Sequence, residues 1–248
     1  MLKINRPIPA DRIKLLIFDL DGTLVDSRQD LANSVNAMLR WLHQPELPCD
    51  LIASYIGDGA PMLVRRALGD PDDEAEVQTA LEYFMTWYRE HKLDTTYVYP
   101  GMIEALQAIE AANSDRRMAV LSNKPVNPSR AIVEALGLGP FFFQTYGGNS
   151  FHTKKPDPLG ALKLCDEAGV KPDQAVMIGD SSNDILTARN AGMWSIGVTY
   201  GLAPQSLALA PPDVLIDSPE ELPVVFGIAP VPKSETTAQV PEREGFTD

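Results

Sequence analysis

"LLIFDLDGTLVDS", residues 15–27, sets two aspartates one residue apart at the end of an apolar run. Leu15, Leu16, Ile17 and Phe18 show no polar alternation. That is the pattern of a strand buried on both faces, and hence of a parallel sheet covered on either side by helices. Asp19 and Asp21 follow at once, then Gly22 and Thr23. Two neighbouring carboxylates are costly to bury unless a cation holds them or chemistry needs them.

Outward from this stretch the chain changes texture twice. From Asp30 to Glu90 it reads as helices without a strand: "DLANSVNAMLRWL", "APMLVRRALG" and "EAEVQTALEYFMTWYREH" space their apolar residues at helical intervals, with Pro61 in a favoured first-turn position and Gly69 as a stop. After Pro100-Gly101 strands and helices alternate: "RMAVLSN", "AVMIGD" and "WSIGVTYG" as strands, "MIEALQAIEAA", "PSRAIVEALGLG", "PLGALKLCDEAGV" and "DILTARNAG" as helices, and "DVLIDSPEELPVVF" as a last strand and short helix. This alternation predicts an α/β fold with a doubly wound parallel sheet. Residues 1–27 and 98–228 supply its core, 28–97 form an inserted all-helical cap, and 229–248, rich in Pro, Glu and Thr, are expected to be a disordered tail.

Composition narrows the function. The formal net charge of the 248-residue chain is -13 and basic runs are short, so nucleic acid is an unfavourable partner. No apolar stretch has the length to cross a bilayer, and "MLKINRPIPADR" has no signal-peptide apolar region. Cys49 and Cys165 lie far apart, and His43, His91 and His152 make no metal signature. A reduced cytoplasmic enzyme is expected, a monomer or homodimer, with no zinc.

In a doubly wound sheet ligands sit outside the carboxyl ends of the strands. Four polar clusters fall at such ends or at helix starts: Asp19 to Thr23, Ser122-Asn123-Lys124, Lys154 to Pro158, and "GDSSND" with Asp180 and Asp184. Each alone has a bland explanation: a turn, a helix cap, a solvated lysine, an Asx-rich loop. Four carboxylates and a lysine gathered at one sheet edge make poor packing, but they suit a hard divalent cation and a phosphate. Asp19, Asp180 and the main-chain carbonyl of Asp21 could hold Mg²⁺, with Asp184 supporting through water. Lys155 would neutralise phosphate charge, and the Ser122 and Thr23 hydroxyls could fix phosphate oxygens. Asp19 would attack phosphorus, forming an aspartyl phosphate, and Asp21 would serve as general acid and then base.

"DLDGT", "LSN", "KKPDP" and "GDSSND", in this order, resemble the four motifs of the haloacid-dehalogenase superfamily phosphatases, over roughly residues 14–226. The helical insertion resembles the cap of one branch. Within it, "DLDGTLVDS", "YIGDGAPMLVRRAL" and "SNKP" look most like phosphoglycolate phosphatases, although many relatives carry an aspartate where Asn149 stands. The resemblance implies Asp19 as nucleophile and Asp21 as acid/base. It implies Ser122 and Lys155 as phosphate ligands, Asp19, Asp21 and Asp180 as metal ligands, and Asp184 as an accessory carboxylate. Asn123 is an expected substrate contact. In the cap, the amides at Gly59 and the guanidinium of Arg66, or less so Arg65, are expected to receive a small carboxylate. The expected reaction is Mg²⁺-dependent hydrolysis of 2-phosphoglycolate, a small phosphorylated metabolite. Rivals are a β-phosphoglucomutase-like mutase, or a broad sugar-phosphate or pyrophosphate hydrolase. A dehalogenase would lack the acid/base Asp21, and a silent binding module would have lost one of the motif residues.

Overall fold

The computed structural model describes residues 2–229. In chain order the strands are β1 (Lys3–Ile4), β2 (Leu15–Phe18), β3 (Val25–Asp26), β4 (Tyr97–Val98), β5 (Arg117–Leu121), β6 (Gln144–Tyr146), β7 (Ala175–Gly179), β8 (Trp194–Val198) and β9 (Val214–Ile216). The helices are α1 (Arg28–Trp41), α2 (Cys49–Ala53), α3 (Ala60–Ala67), α4 (Glu74–His91), α5 (Met102–Ala112), α6 (Val126–Ala135), α7 (Leu159–Ala168), α8 (Ser182–Ala191) and α9 (Leu222–Val225).

Seven strands make one sheet in the order β1-β9-β8-β7-β2-β5-β6. From β2 the chain winds outward through β5 to β6, then returns to β7 on the other side of β2 and winds out again to β9. The strand order therefore reverses between β2 and β7, which is where such sheets open a ligand crevice. All pairings are parallel except β1 with β9. The antiparallel edge at β1 corrects the wholly parallel expectation: two exposed residues carry no periodic signal. Strand β6 was also not anticipated, because "FFFQTYGG" mixes aromatic and polar residues without a clear period.

The uninterrupted apolar run of β2 is explained by its position. Leu16 and Phe18 enter the core layer on one face of the sheet, while Leu15 and Ile17 enter the layer on the other, and all four are fully buried. Helices α1 to α4 build a separate core from Leu31, Val35, Met38, Ile52, Leu63, Val64, Phe84 and Tyr88 among others. Their capping follows local chemistry: Asp73 accepts from the Ala75 and Glu76 amides at the start of α4. The helical block joins the sheet through a two-stranded ribbon, β3 paired antiparallel with β4. Two-residue strands of this kind are invisible to periodicity. Beside the ribbon, buried Asp30 accepts from the amides and hydroxyls of both Thr95 and Thr96. No helix among the described residues is long and apolar enough to cross a membrane. The expected tail, apart from Ala229, lies outside the described residues.

Candidate active site

The ends of β2 and β7 deliver Asp19 and Asp180 to the switch point of the sheet. The Asp19 amide donates to Ile178 O at 2.9 Å, so the two strands remain in register up to the carboxylates. One carboxylate oxygen from each of Asp19, Asp180 and Asp184 lies within 4.8 Å of the others, and all three residues are buried. Gly22 makes this approach possible. Its φ is +83°, and a Cβ there would stand 2.2 Å from Asp180 Oδ2.

Lys155 is the cation inside this group. Its ammonium bridges Asp19 Oδ1 at 2.8 Å and Asp184 Oδ1 at 2.6 Å. Burial would lower its pKa, but the two carboxylates outweigh burial and lift it to about 12. Asp184 is held further by the amide and hydroxyl of Ser181. Asp180 has no side-chain cation among these contacts; its Oδ2 accepts only the Leu202 and Ala203 amides, at 2.6 and 3.0 Å. Burial, reinforced by Asp184 and Asp19, raises the Asp180 pKa to about 8. Burial also raises Asp19, to about 6, with Lys155 opposing. With all three carboxylates ionised, one ammonium leaves two negative charges, and an all-oxygen donor set with that charge fits a hard divalent cation.

Asp21 stands apart from this cluster. Its carboxylate receives the Ser27 hydroxyl at 2.6 Å and the Lys124 ammonium at 2.9 Å on both oxygens. The two aspartates of the motif thus meet different lysines, Lys155 at Asp19 and Lys124 at Asp21. Lys124 belongs to one of the four polar clusters but was given no role from sequence. A signal existed, since a lysine three residues beyond a buried strand end is poorly placed to reach solvent.

A cleft of roughly 640 Å³, counting its open mouth, lies between the sheet edge and the helical block. Asp19, Asp21, Ser122, Asn123, Lys124 and Asp180 line it from the sheet, and Gly57, Gly59, Phe84 and Tyr88 line it from the block. Several expected contacts are placed otherwise. Lys155 and Asp184 do not line the cleft and sit behind Asp19. Thr23 is fully buried and does not line the cleft, because the turn at Gly22 carries it inward; its hydroxyl has no partner. The Asn123 side chain is engaged on both sides: its amide nitrogen donates to Gly57 O and Lys155 O, and its oxygen accepts from the Lys155 amide. At the wall of the cleft it holds the lysine loop and the block together.

Arg66 also departs from expectation. It does not line the cleft; its guanidinium donates to Asp58 Oδ2 at 2.5 Å and to Tyr55 O at 3.1 Å. Arg65 pairs with Glu74 and donates to Pro71 O. From α3, Arg66 is committed to the loop that precedes its helix. Asn149 accepts from the Val126 amide at the start of α6, a structural role.

A model of the haloacid dehalogenase-like hydrolases matches residues 16–198. The chain is 40% identical over 215 residues to a phosphoglycolate phosphatase of Chromobacterium violaceum, covering 85% of this chain and 95% of that protein. It is 40% identical over 195 residues to a phosphoglycolate phosphatase of Psychrobacter arcticus, covering 76% and 84%. Among solved structures, a predicted phosphoglycolate phosphatase from Haemophilus somnus superposes with a TM-score of 0.80 at 33% identity, covering 86% of this chain and 98% of that one.

Proposed function

The chain belongs to the haloacid dehalogenase-like hydrolases and is a phosphomonoester hydrolase, and from that premise we propose that its substrate is 2-phosphoglycolate, cleaved with Mg²⁺ to glycolate and phosphate. The observation that carries the reading is the division of labour between the two aspartates of the opening motif. Asp19 faces the carboxylate cluster with Lys155, while Asp21 is turned to Lys124 and Ser27. The relatives named phosphoglycolate phosphatase support the choice of ester.

In this mechanism Asp19 is the nucleophile. A carboxylate oxygen attacks phosphorus in line with the ester oxygen, forming an aspartyl phosphate as the ester bond breaks. Asp21 enters this step in its acid form and gives its proton to the departing alkoxide, which leaves the carboxylate that Lys124 and Ser27 hold. It then takes a proton from the water that attacks phosphorus, breaks the aspartyl–phosphorus bond and frees Asp19. Asp19, Asp180 and, at second rank, Asp184 would hold the Mg²⁺, with the main-chain carbonyl of Asp21 as a further donor. The ion, when bound, supplies charge neutralisation for the phosphoryl oxygens. Ser122, which lines the cleft, holds a phosphoryl oxygen with its hydroxyl. Lys155 keeps Asp19 aligned through its 2.8 Å contact. Residues 28–97 act as a cap that shields the reaction from water. Two free cysteines with no disulfide between them suit a cytoplasmic setting.

A panel of small phosphate esters, assayed with Mg²⁺ for orthophosphate release, tests the proposal. The expected result is highest kcat/KM for 2-phosphoglycolate, with no sugar-bisphosphate activator needed. Interconversion of glucose phosphates in place of phosphate release would replace it with a mutase.

A further inference from the structure

Two buried residues with polar ends line the cleft without a step in the chemistry above: Lys124 and Tyr88. We infer that together they form the subsite for the substrate's carboxylate, an inference that rests on the phosphoglycolate reading and extends it to the residues that recognise the second anion.

The covalent size of the substrate restricts where that anion can lie. In a two-carbon phosphate ester the carboxyl carbon is two bonds from the ester oxygen, roughly 2.5 Å away. Whatever group reaches the ester oxygen is therefore beside the carboxylate as well. Asp21 is the group assigned to that oxygen, so the recognising cation must stand next to Asp21. Lys124 does, at 2.9 Å from both of its carboxylate oxygens. Those bonds use two of the three ammonium donors, and the third is turned toward the Tyr88 hydroxyl oxygen, so the ammonium acts on a ligand through its charge. Arg66, the alternative cation, is held by Asp58 outside the cleft lining.

Tyr88 supplies the independent observation. The residue is 2% exposed, and no acceptor stands at hydrogen-bonding geometry to its hydroxyl proton. A buried hydroxyl left in that state carries a desolvation cost, which a carboxylate oxygen arriving in the cleft would relieve. The Lys124 ammonium stands over the Tyr88 ring, 4.7 Å from its centroid, so both groups address one region. A role for Lys124 confined to neutralising Asp21 would account for the ion pair but leave the Tyr88 hydroxyl proton without an acceptor. The two residues come from opposite walls, the turn after β5 and the helix α4, so the subsite is complete only when cap and sheet face each other.

The test compares kcat/KM for 2-phosphoglycolate and for ethyl phosphate, which keeps the ester and lacks the carboxylate, in the wild type, Lys124→Met and Tyr88→Phe. The expected result is a wild-type preference for phosphoglycolate that falls about tenfold or more in Lys124→Met and by about threefold or more in Tyr88→Phe, as for a hydrogen bond to a charged group. Tyr88→Phe removes one oxygen only and carries the test if Lys124→Met does not fold. Losses in the same proportion on both substrates would overturn the subsite while leaving the phosphoglycolate reading standing. A wild type that does not prefer phosphoglycolate to ethyl phosphate would overturn that reading, and the carboxylate subsite with it.

Discussion

Asn183 Nδ2 donates to Asp58 Oδ1 at 2.8 Å, tying the loop between α2 and α3 to the helix start that carries Asp184. The same loop is gripped twice more from the sheet side. Lys154 donates to the Asp58 carbonyl, and Asn123 donates to Gly57 O at 2.9 Å. Arg66 holds the other oxygen of Asp58 from within the block. Burial would raise the Asp58 pKa, but the hydrogen bonds from Asn183 and Arg66 and the positive charges nearby bring it below the usual carboxylate range. Gly59 lets the loop approach, since a Cβ there would meet Asn123 O at 2.8 Å.

Arg66 and Asp58 should therefore act through the placement of the loop. Asp58→Ala and Arg66→Ala are each expected to reduce kcat/KM by about tenfold, as for a charge-assisted hydrogen bond, on 2-phosphoglycolate and on an aryl phosphate alike. Steady-state kinetics on both substrates checks this. A loss confined to phosphoglycolate would return Arg66 to direct carboxylate recognition.

Asp19→Asn should abolish orthophosphate release with the fold intact, because the amide matches the carboxylate in shape but cannot attack phosphorus. Circular dichroism reports the fold, and acid-quenched mass spectrometry of the wild type should locate a phosphoryl group on Asp19. Residual turnover near the wild-type rate would exclude covalent catalysis through that residue.

Metal and pH are linked through Asp180 and Asp19. Without a divalent cation their folded pKa values stand at about 8 and about 6, above the unfolded carboxylate value. The folded state then holds more protons than the unfolded one between about pH 4 and pH 8, so stability falls as pH rises across that window. Melting of chelator-treated protein should show a lower Tm at pH 8 than at pH 6. Saturating Mg²⁺ should raise Tm and weaken this slope, and Asp180→Asn should flatten it without metal. Activity should disappear with EDTA and return with Mg²⁺. A slope of the opposite sign would mean that these carboxylates are ionised in the metal-free fold.

Asp30 predicts a stability effect remote from the chemistry. Its carboxylate receives two amides and two hydroxyls from Thr95 and Thr96, joining α1 to the strand that returns to the sheet. Asp30→Ala strands these donors, and unfolding in urea should show a loss of at least about 2 kcal/mol. An unchanged denaturation midpoint would indicate that water replaces the carboxylate at no cost.

The local elements that build the sheet were legible because their causes are local. The run Leu15 to Phe18 is apolar at every position since both its faces are covered, and helices such as α4 carry their caps and periodicity in their own residues. The gathering of Asp19, Asp180 and Asp184 followed from the rule that such sheets bind at strand ends, which needs only the order of strands and helices. The strands β1, β3, β4 and β6 were not legible, because two or three residues hold no period and pair only when a distant partner is present. Side-chain engagement was hidden for the same reason. Arg66 looks free for an anion until Asp58 closes on it, and Lys124 looks like a surface lysine until it is buried against Asp21 and Tyr88. The sequence alone determined which chemical groups reach the sheet edge; only the tertiary structure decided which charge pairs with which, because that choice depends on how loops and elements fold against one another, whether the partners lie eight positions apart, as Arg66 and Asp58 do, or 103, as Lys124 and Asp21 do.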